Sequence, residues 1–158
     1  MVSNPELMID DFKNAGANSI TFHIEVTEER GITQSVIDKI KAYGMQVAIS
    51  VKPKTPIESI FPYVKDLDFV LIMTVEPGFG GQSFMSEMMT KVSTLRRKYP
   101  NLNIQVDGGL DIKTIEPAAA AGANVVVAGS ALFRPDQNPK DTIQFFKDTI
   151  NKHSPNWK

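Results

Sequence analysis

Residues 69–84 read FVLIMTVEPGFGGQSF, and the fold turns on the two halves of this stretch. The apolar run Phe69-Val70-Leu71-Ile72-Met73, continued to Val75, predicts a buried strand. It runs straight into Gly78, Gly80 and Gly81, three glycines within four positions. Each glycine gives up more backbone freedom on folding than any other residue. A loop that carries three of them points to positive φ angles or to a backbone that something must approach closely.

The same strand-then-loop unit recurs on either side. Ser19 to Val26 alternates as a strand and places His23 and Glu25 on one face. Val36, Ile37, Ile40 and Tyr43 then follow at helical spacing, and Gly44 ends that helix. Gln46 to Val51 is a second strand, and Pro56 opens a helix carrying Ile57, Ile60, Phe61 and Val64. Beyond the 69–75 strand, Ser83 to Tyr99 is the longest predicted helix, with Phe84, Met88, Val92 and Leu95 on one face. Asn103 to Val106 is a strand, Asp111 to Ala121 a helix closed by Gly122, and Asn124 to Ala128 a strand. Pro139 to Lys152 is the last helix, with Ile143, Phe146 and Ile150 inward. Strands alternating with helices predict a parallel sheet with right-handed crossovers. All-apolar strands such as Val125-Val126-Val127 predict a sheet covered on both faces.

The chain opens on a helix instead of a strand. Ser3-Asn4-Pro5-Glu6 reads as a capping box, Met8, Ile9 and Phe12 give an apolar face, and Gly16 stops the helix. The prediction is thus a single α/β domain over 1–158, with five strands and six helices. An eight-stranded β/α barrel takes about 250 residues, so the pattern is that of the back part of one, a truncated (β/α)8-type barrel.

The bulk properties narrow the function. The 158 residues are 42% apolar and 22% charged, with a net charge of -1 and no cysteine. A nucleic-acid or membrane partner calls for a basic surface, which this balance does not supply. Disulfides and thiolate metal sites are excluded. The opening MVSNPELMID lacks the basic and apolar regions of a signal peptide, so the cytoplasm is the default expectation. The weakly polar run from Ala118 to Phe133 is broken by Gly122, Asn124, Gly129 and Ser130 and makes no membrane span.

Three glycine loops follow predicted strands: Glu76 to Gln82, then Asp107-Gly108-Gly109, then Gly129-Ser130. In β/α folds ligands bind at the C-terminal ends of strands. Bare backbone N–H groups and helix N-termini there hold a phosphate without any lysine. One glycine loop is usually a turn; three at equivalent places favour a phosphate site. Asp107 ends an apolar strand ahead of two glycines, and it reads either as a turn or cap aspartate or as a general base or metal ligand. Asp111, nearer its helix, is the better cap, which moves Asp107 toward chemistry. His23 and Glu25 read either as pointing into the barrel mouth or, equally, as a satisfied polar core pair. Lys52, at the end of the second strand, reads as a ligand cation or, the more common case, an exposed lysine, and His153 reads as solvent-exposed.

The strings TFHIE, VEPGFGGQSF, VDGG and AGSALF, in this order and spacing, resemble those of the ribulose-phosphate 3-epimerase family, from Met1 to about Phe146. The resemblance implies a ribulose-phosphate-binding TIM barrel of the pentose phosphate pathway. Its reaction interconverts D-ribulose 5-phosphate and D-xylulose 5-phosphate through a metal-stabilised enediolate. It implies substrate-phosphate binding by Gly78, Phe79, Gly80, Gly81, Gly108, Gly109, Gly129 and Ser130. Asp107 would be both a catalytic acid/base and a metal ligand, and Met1 and Met73 would line the substrate pocket. It implies one divalent metal ion (Zn, Fe, Mn or Co), a phosphorylated ketopentose substrate and a homo-oligomer of two or more subunits. The match covers the family's C-terminal two-thirds. The first three strands, which carry a serine, two histidine ligands and the first acid/base aspartate, have no counterpart. The expectation is therefore that this chain alone retains neither the metal nor full activity. The alternatives are a non-catalytic phosphosugar-binding or subunit-pairing short form, and an epimerase acting on a hexulose phosphate such as allulose 6-phosphate.

Overall fold

The computed structural model describes residues 1–133 and 138–154. Among them lie five strands, ordered along the sheet as they occur in sequence. The contacts divide the chain into two compact units, Met1–Leu71 and Ile72–Lys158.

In the first unit, α1 (Ile9–Asn14) leads to β1 (Ser19–His23), α2 (Glu25–Glu28), α3 (Thr33–Ala42) and β2 (Gln46–Val51). Strands β1 and β2 pair in parallel, with Ser19 opposite Gln46 and His23 opposite Ser50. Strand β2 is buried from Val47 to Val51, side chains of both faces included, as its unbroken apolar run predicts. Ile9, Ile37, Ile40, Val47 and Ile49 are fully buried and form the center of this unit.

Several sequence expectations change here. The predicted capping box is not formed: no side chain caps the first turn, a 3-10 turn at Pro5–Leu7. Glu6 instead pairs with Arg30 through two hydrogen bonds of 2.8 and 2.9 Å. The first strand stops at His23, and Ile24 already has helical angles. The helix after Pro56 is two 3-10 segments, Ile57–Ile60 and Val64–Asp66.

The second unit takes up the end of β3 (Phe69–Met73), then α4 (Met89–Lys98), β4 (Asn103–Asp107), α5 (Ile115–Ala121), β5 (Val125–Val127) and α6 (Pro139–His153). Strands β4 and β5 pair in parallel, Asp107 opposite Val127. Gly122, at φ 108°, caps α5 as expected. The helix expected from Ser83 starts later, at a 3-10 turn beginning with Ser86, because Met85 is extended and its N–H bonds to the Thr74 carbonyl at 2.8 Å. Among the described residues the longest helix is accordingly α6. Phe146 packs with Ile115 and Ala131, whereas Ile143, expected inward, is 41% exposed. Strand β5 is only partly buried, and Val127 is exposed, so coverage of both faces does not extend to this edge.

Candidate phosphate-binding site

The ends of β3, β4 and β5 carry the three glycine loops of the second unit. Beyond β3 the chain continues extended through Thr74, which is fully buried. Its N–H donates to the Asp107 carbonyl at 2.8 Å, and its hydroxyl donates to the Gly108 carbonyl at 2.6 Å. One side chain thus ties the exit of β3 to the exit of β4.

Gly108 and Gly109 are glycines for a steric reason. Gly108 has φ 123°, and a Cβ there would lie 2.4 Å from a Val75 methyl group. Gly109 has φ 66°, and its Cβ would lie 2.5 Å from the Phe84 nitrogen. Loop 76–84 therefore rests directly on the backbone after β4. Gly80 and Gly129 differ: neither has a left-handed φ, and a Cβ would meet nothing within 4 Å. Among the described residues, neither a steric contact nor a left-handed φ demands glycine at these two exposed positions.

A cavity of about 390 Å³ opens where the loops meet. Gly81, Gly109 and Ser130 line it, with Gln82, Ser83 and Thr114. Of the other expected phosphate-binding residues, Gly78, Phe79 and Gly80 are exposed on the same loop, Gly108 lies under it against Val75, and Gly129 is exposed beside Ser130. Among the described residues, none of the N–H groups from Gly78 to Phe84 finds a backbone acceptor, nor do those of Gly108, Gly109, Gly129 and Ser130. Backbone N–H groups seek an acceptor, and these, largely exposed and without a backbone one, are open to water or to a bound anion.

Thr114 and Asp111 brace the far wall. The Asp111 carboxylate accepts the N–H groups of Lys113 at 2.8 Å and Thr114 at 3.1 Å, while Thr114 Oγ1 accepts the Asp111 N–H at 2.8 Å. Asp111 thus closes a turn ahead of α5 and does not cap it: the helix expected from Asp111 starts at Ile115, and its N-cap position, Thr114, makes no side-chain cap bond. Gln82, Ser83 and Thr114 were not singled out by the sequence. Gln82 and Ser83 stand within the glycine string itself, and the Asp-x-x-Thr spacing was the available sign of Thr114.

Asp107 ends β4 as expected and is partly buried. Burial pushes its carboxyl pKa above the usual aspartate value. Met73 is buried in the second unit, and Met1 lies exposed in the first. Among the described residues, no three His, Asp or Glu side chains come together in a way that would hold a metal ion. The residues present do not fit the expected metal.

The first unit holds a separate polar cluster. Glu25 is not on the strand face with His23 but in α2. The two still meet, with His23 Nδ1 to Glu25 Oε2 at 3.2 Å. Glu25 Oε1 accepts the Lys52 N–H at 2.8 Å and the Thr55 hydroxyl at 2.5 Å. Burial alone would raise the Glu25 carboxyl pKa, but these hydrogen bonds outweigh it and hold the value at about 2.

The model of the ribulose-phosphate 3 epimerase family matches residues 1–133. The ribulose-phosphate 3-epimerase of Schizosaccharomyces pombe is 50% identical over 152 residues, which cover 96% of this chain and 65% of that protein. The cytoplasmic isoform of Oryza sativa subsp. japonica is 53% identical over 136 residues, 84% of this chain and 59% of its own length. The chain thus spans under two-thirds of the length of these relatives. Among solved structures, 3-hexulose-6-phosphate synthase from Salmonella typhimurium superimposes with a TM-score of 0.66 at 19% identity, over 93% of this chain and 68% of that one. KGPDC from Streptococcus mutans, in complex with D-R5P, gives 0.72 at 14% identity, over 94% and 68%. At these identities the likeness speaks to the fold alone, and it agrees with the α/β, barrel-type sheet read from the sequence.

Proposed function

The chain belongs to the ribulose-phosphate 3-epimerase family, and from that premise we propose that it supplies the phosphate grip and one acid/base group of a ribulose-phosphate 3-epimerase. The substrate is a phosphorylated ketopentose, and the reaction interconverts D-ribulose 5-phosphate and D-xylulose 5-phosphate. The observation that carries this reading is that three glycine loops, whose N–H groups have no backbone acceptor among the described residues, meet at one cavity lined by Gly81, Gly109 and Ser130. Such donors hold a phosphate dianion with no need for a cation. The proposed binding set is Gly78, Phe79, Gly80, Gly81, Gly108, Gly109, Gly129 and Ser130.

Epimerisation removes the proton at C3, next to the C2 carbonyl. The C–H electron pair becomes the C2–C3 double bond, and negative charge passes to the C2 oxygen. Return of a proton to the opposite face inverts C3. Two proton carriers are required, one for each face. We assign Asp107 to one face; its raised pKa brings it nearer to that of an effective general base. The family's divalent metal would supply Lewis acidity. Asp107 alone does not make a metal site.

We propose further that the protein works in the cytoplasm, as the name of the rice relative says of that protein. Among the described residues no helix is long and apolar enough to cross a membrane. The exposed apolar edge at Val127 supports a homo-oligomer; sedimentation is expected to give a dimer or larger, and a monomer would contradict it. The catalytic assignment is tested by following exchange of the ribulose 5-phosphate C3 hydrogen with solvent, which one acid/base group can carry out, in the chain and in its Asp107→Asn variant. Exchange by the chain that is lost in the variant supports the role of Asp107. Retention of wild-type rates would remove it.

A further inference from the structure

We infer that Gln82 is a positioning residue for anion recognition: it holds the Phe79–Gly80 peptide in the orientation that offers the Gly80 N–H to a phosphate oxygen. This inference rests on the phosphate-binding reading of the same loops.

Gln82 spends both of its side-chain N–H donors on one loop. Nε2 donates to the Glu76 carbonyl at 2.7 Å and to the Phe79 carbonyl at 2.8 Å. These carbonyls bracket Pro77 and Gly78, so a single amide group closes the loop across its own span. The peptide bonds among the described residues are trans, and in a trans peptide the C=O and the following N–H point in opposite directions. With the Phe79 C=O drawn toward Gln82, the Gly80 N–H is turned away from it. That N–H has no backbone acceptor among the described residues. Around Gly80 a Cβ would meet nothing within 4 Å, and its φ is not left-handed. Gly80 stands on the exposed loop beside the cavity-lining Gly81 and Gln82, so its N–H and the open space around it are accessible to an anion.

Energetics point the same way. A loop with glycines at 78, 80 and 81 has many conformations to lose when it grips a ligand. Two hydrogen bonds from Gln82 meet part of that ordering cost before the anion arrives. The rest of the fold does not depend on them, because both accept within the same exposed loop.

Gln82→Met tests this, because it keeps the length and bulk of the side chain and removes both donors. The probe is inorganic phosphate, titrated into the 158-residue chain while the backbone amide resonances are followed, alongside thermal unfolding. In the wild type, phosphate shifts the amides of Gly80, Gly109 and Ser130. In Gln82→Met, the Gly80 shift collapses while those of Gly109 and Ser130 persist, affinity falls by about tenfold, and the unfolding midpoint is unchanged. Phosphate affinity within twofold of wild type with the Gly80 shift intact overturns the inference and leaves the phosphate site standing. No amide shift in the wild type at any loop overturns the phosphate site itself. Gln82→Ala provides the same readout if the methionine variant does not fold.

Discussion

The hydroxyl of Thr74 donates to the carbonyl of Gly108 at 2.6 Å, and Thr74 is fully buried. This bond fixes how the glycine pair after β4 meets the end of β3, and so sets the floor under loop 76–84. Thr74→Val keeps the shape and deletes the donor, leaving the Gly108 carbonyl without its hydroxyl partner. The expected cost is about 1–2 kcal/mol of folding stability, read from urea denaturation. Phosphate binding should weaken with it, because the same carbonyl holds the Gly108–Gly109 segment in place.

Gly109→Ala should damage the fold itself. The new methyl group would lie 2.5 Å from the Phe84 nitrogen at a φ of 66°, so either the loop or the strand exit has to move. A loss of about 2 kcal/mol or more is expected. Gly129→Ala has no such clash and should leave the unfolding midpoint almost unchanged. Equal destabilisation by the two would contradict the distinction between them.

The Glu25 cluster makes stability depend on pH. The folded carboxyl sits at about 2, below its ordinary value of 4.5. Its contribution is therefore fully present above pH 4.5 and is lost as pH falls toward 2. The size is on the order of 2 kcal/mol. Denaturant midpoints taken at pH 6 and pH 3 should fall steeply in the wild type and less in Glu25→Gln. A wild-type slope no steeper than that of the variant would show that the carboxylate is not held by His23, Lys52 and Thr55.

Much of this architecture can be read in the sequence, and the exceptions have identifiable causes. Strand β2 has the predicted bounds because an apolar run buried on both faces leaves no competing periodicity. Strand β1 is overestimated because Ile24 and Val26 favour strands, while the chain turns into α2 where the Glu25 carboxylate collects donors from Lys52 and Thr55. Those partners are nearly 30 residues away in sequence, out of reach of local pattern. The three glycine loops, Asp107 and the turn at Asp111 were legible because strand ends and turn chemistry are local. Thr74 and Gln82 were not, since their importance lies in which carbonyls they meet, at Gly108, Glu76 and Phe79. Gly80 and Gly109 look alike in the sequence, and only the packing separates one required by the fold from one that is not.

The most direct test of the phosphate grip is calorimetric titration of ribulose 5-phosphate into the wild-type chain and into Gly80→Ala, with inorganic phosphate as competitor. The account predicts that the wild type binds, that phosphate competes, and that Gly80→Ala binds at least about tenfold more weakly with an unchanged unfolding midpoint. Equal binding by the two proteins, or binding that phosphate does not displace, would contradict it.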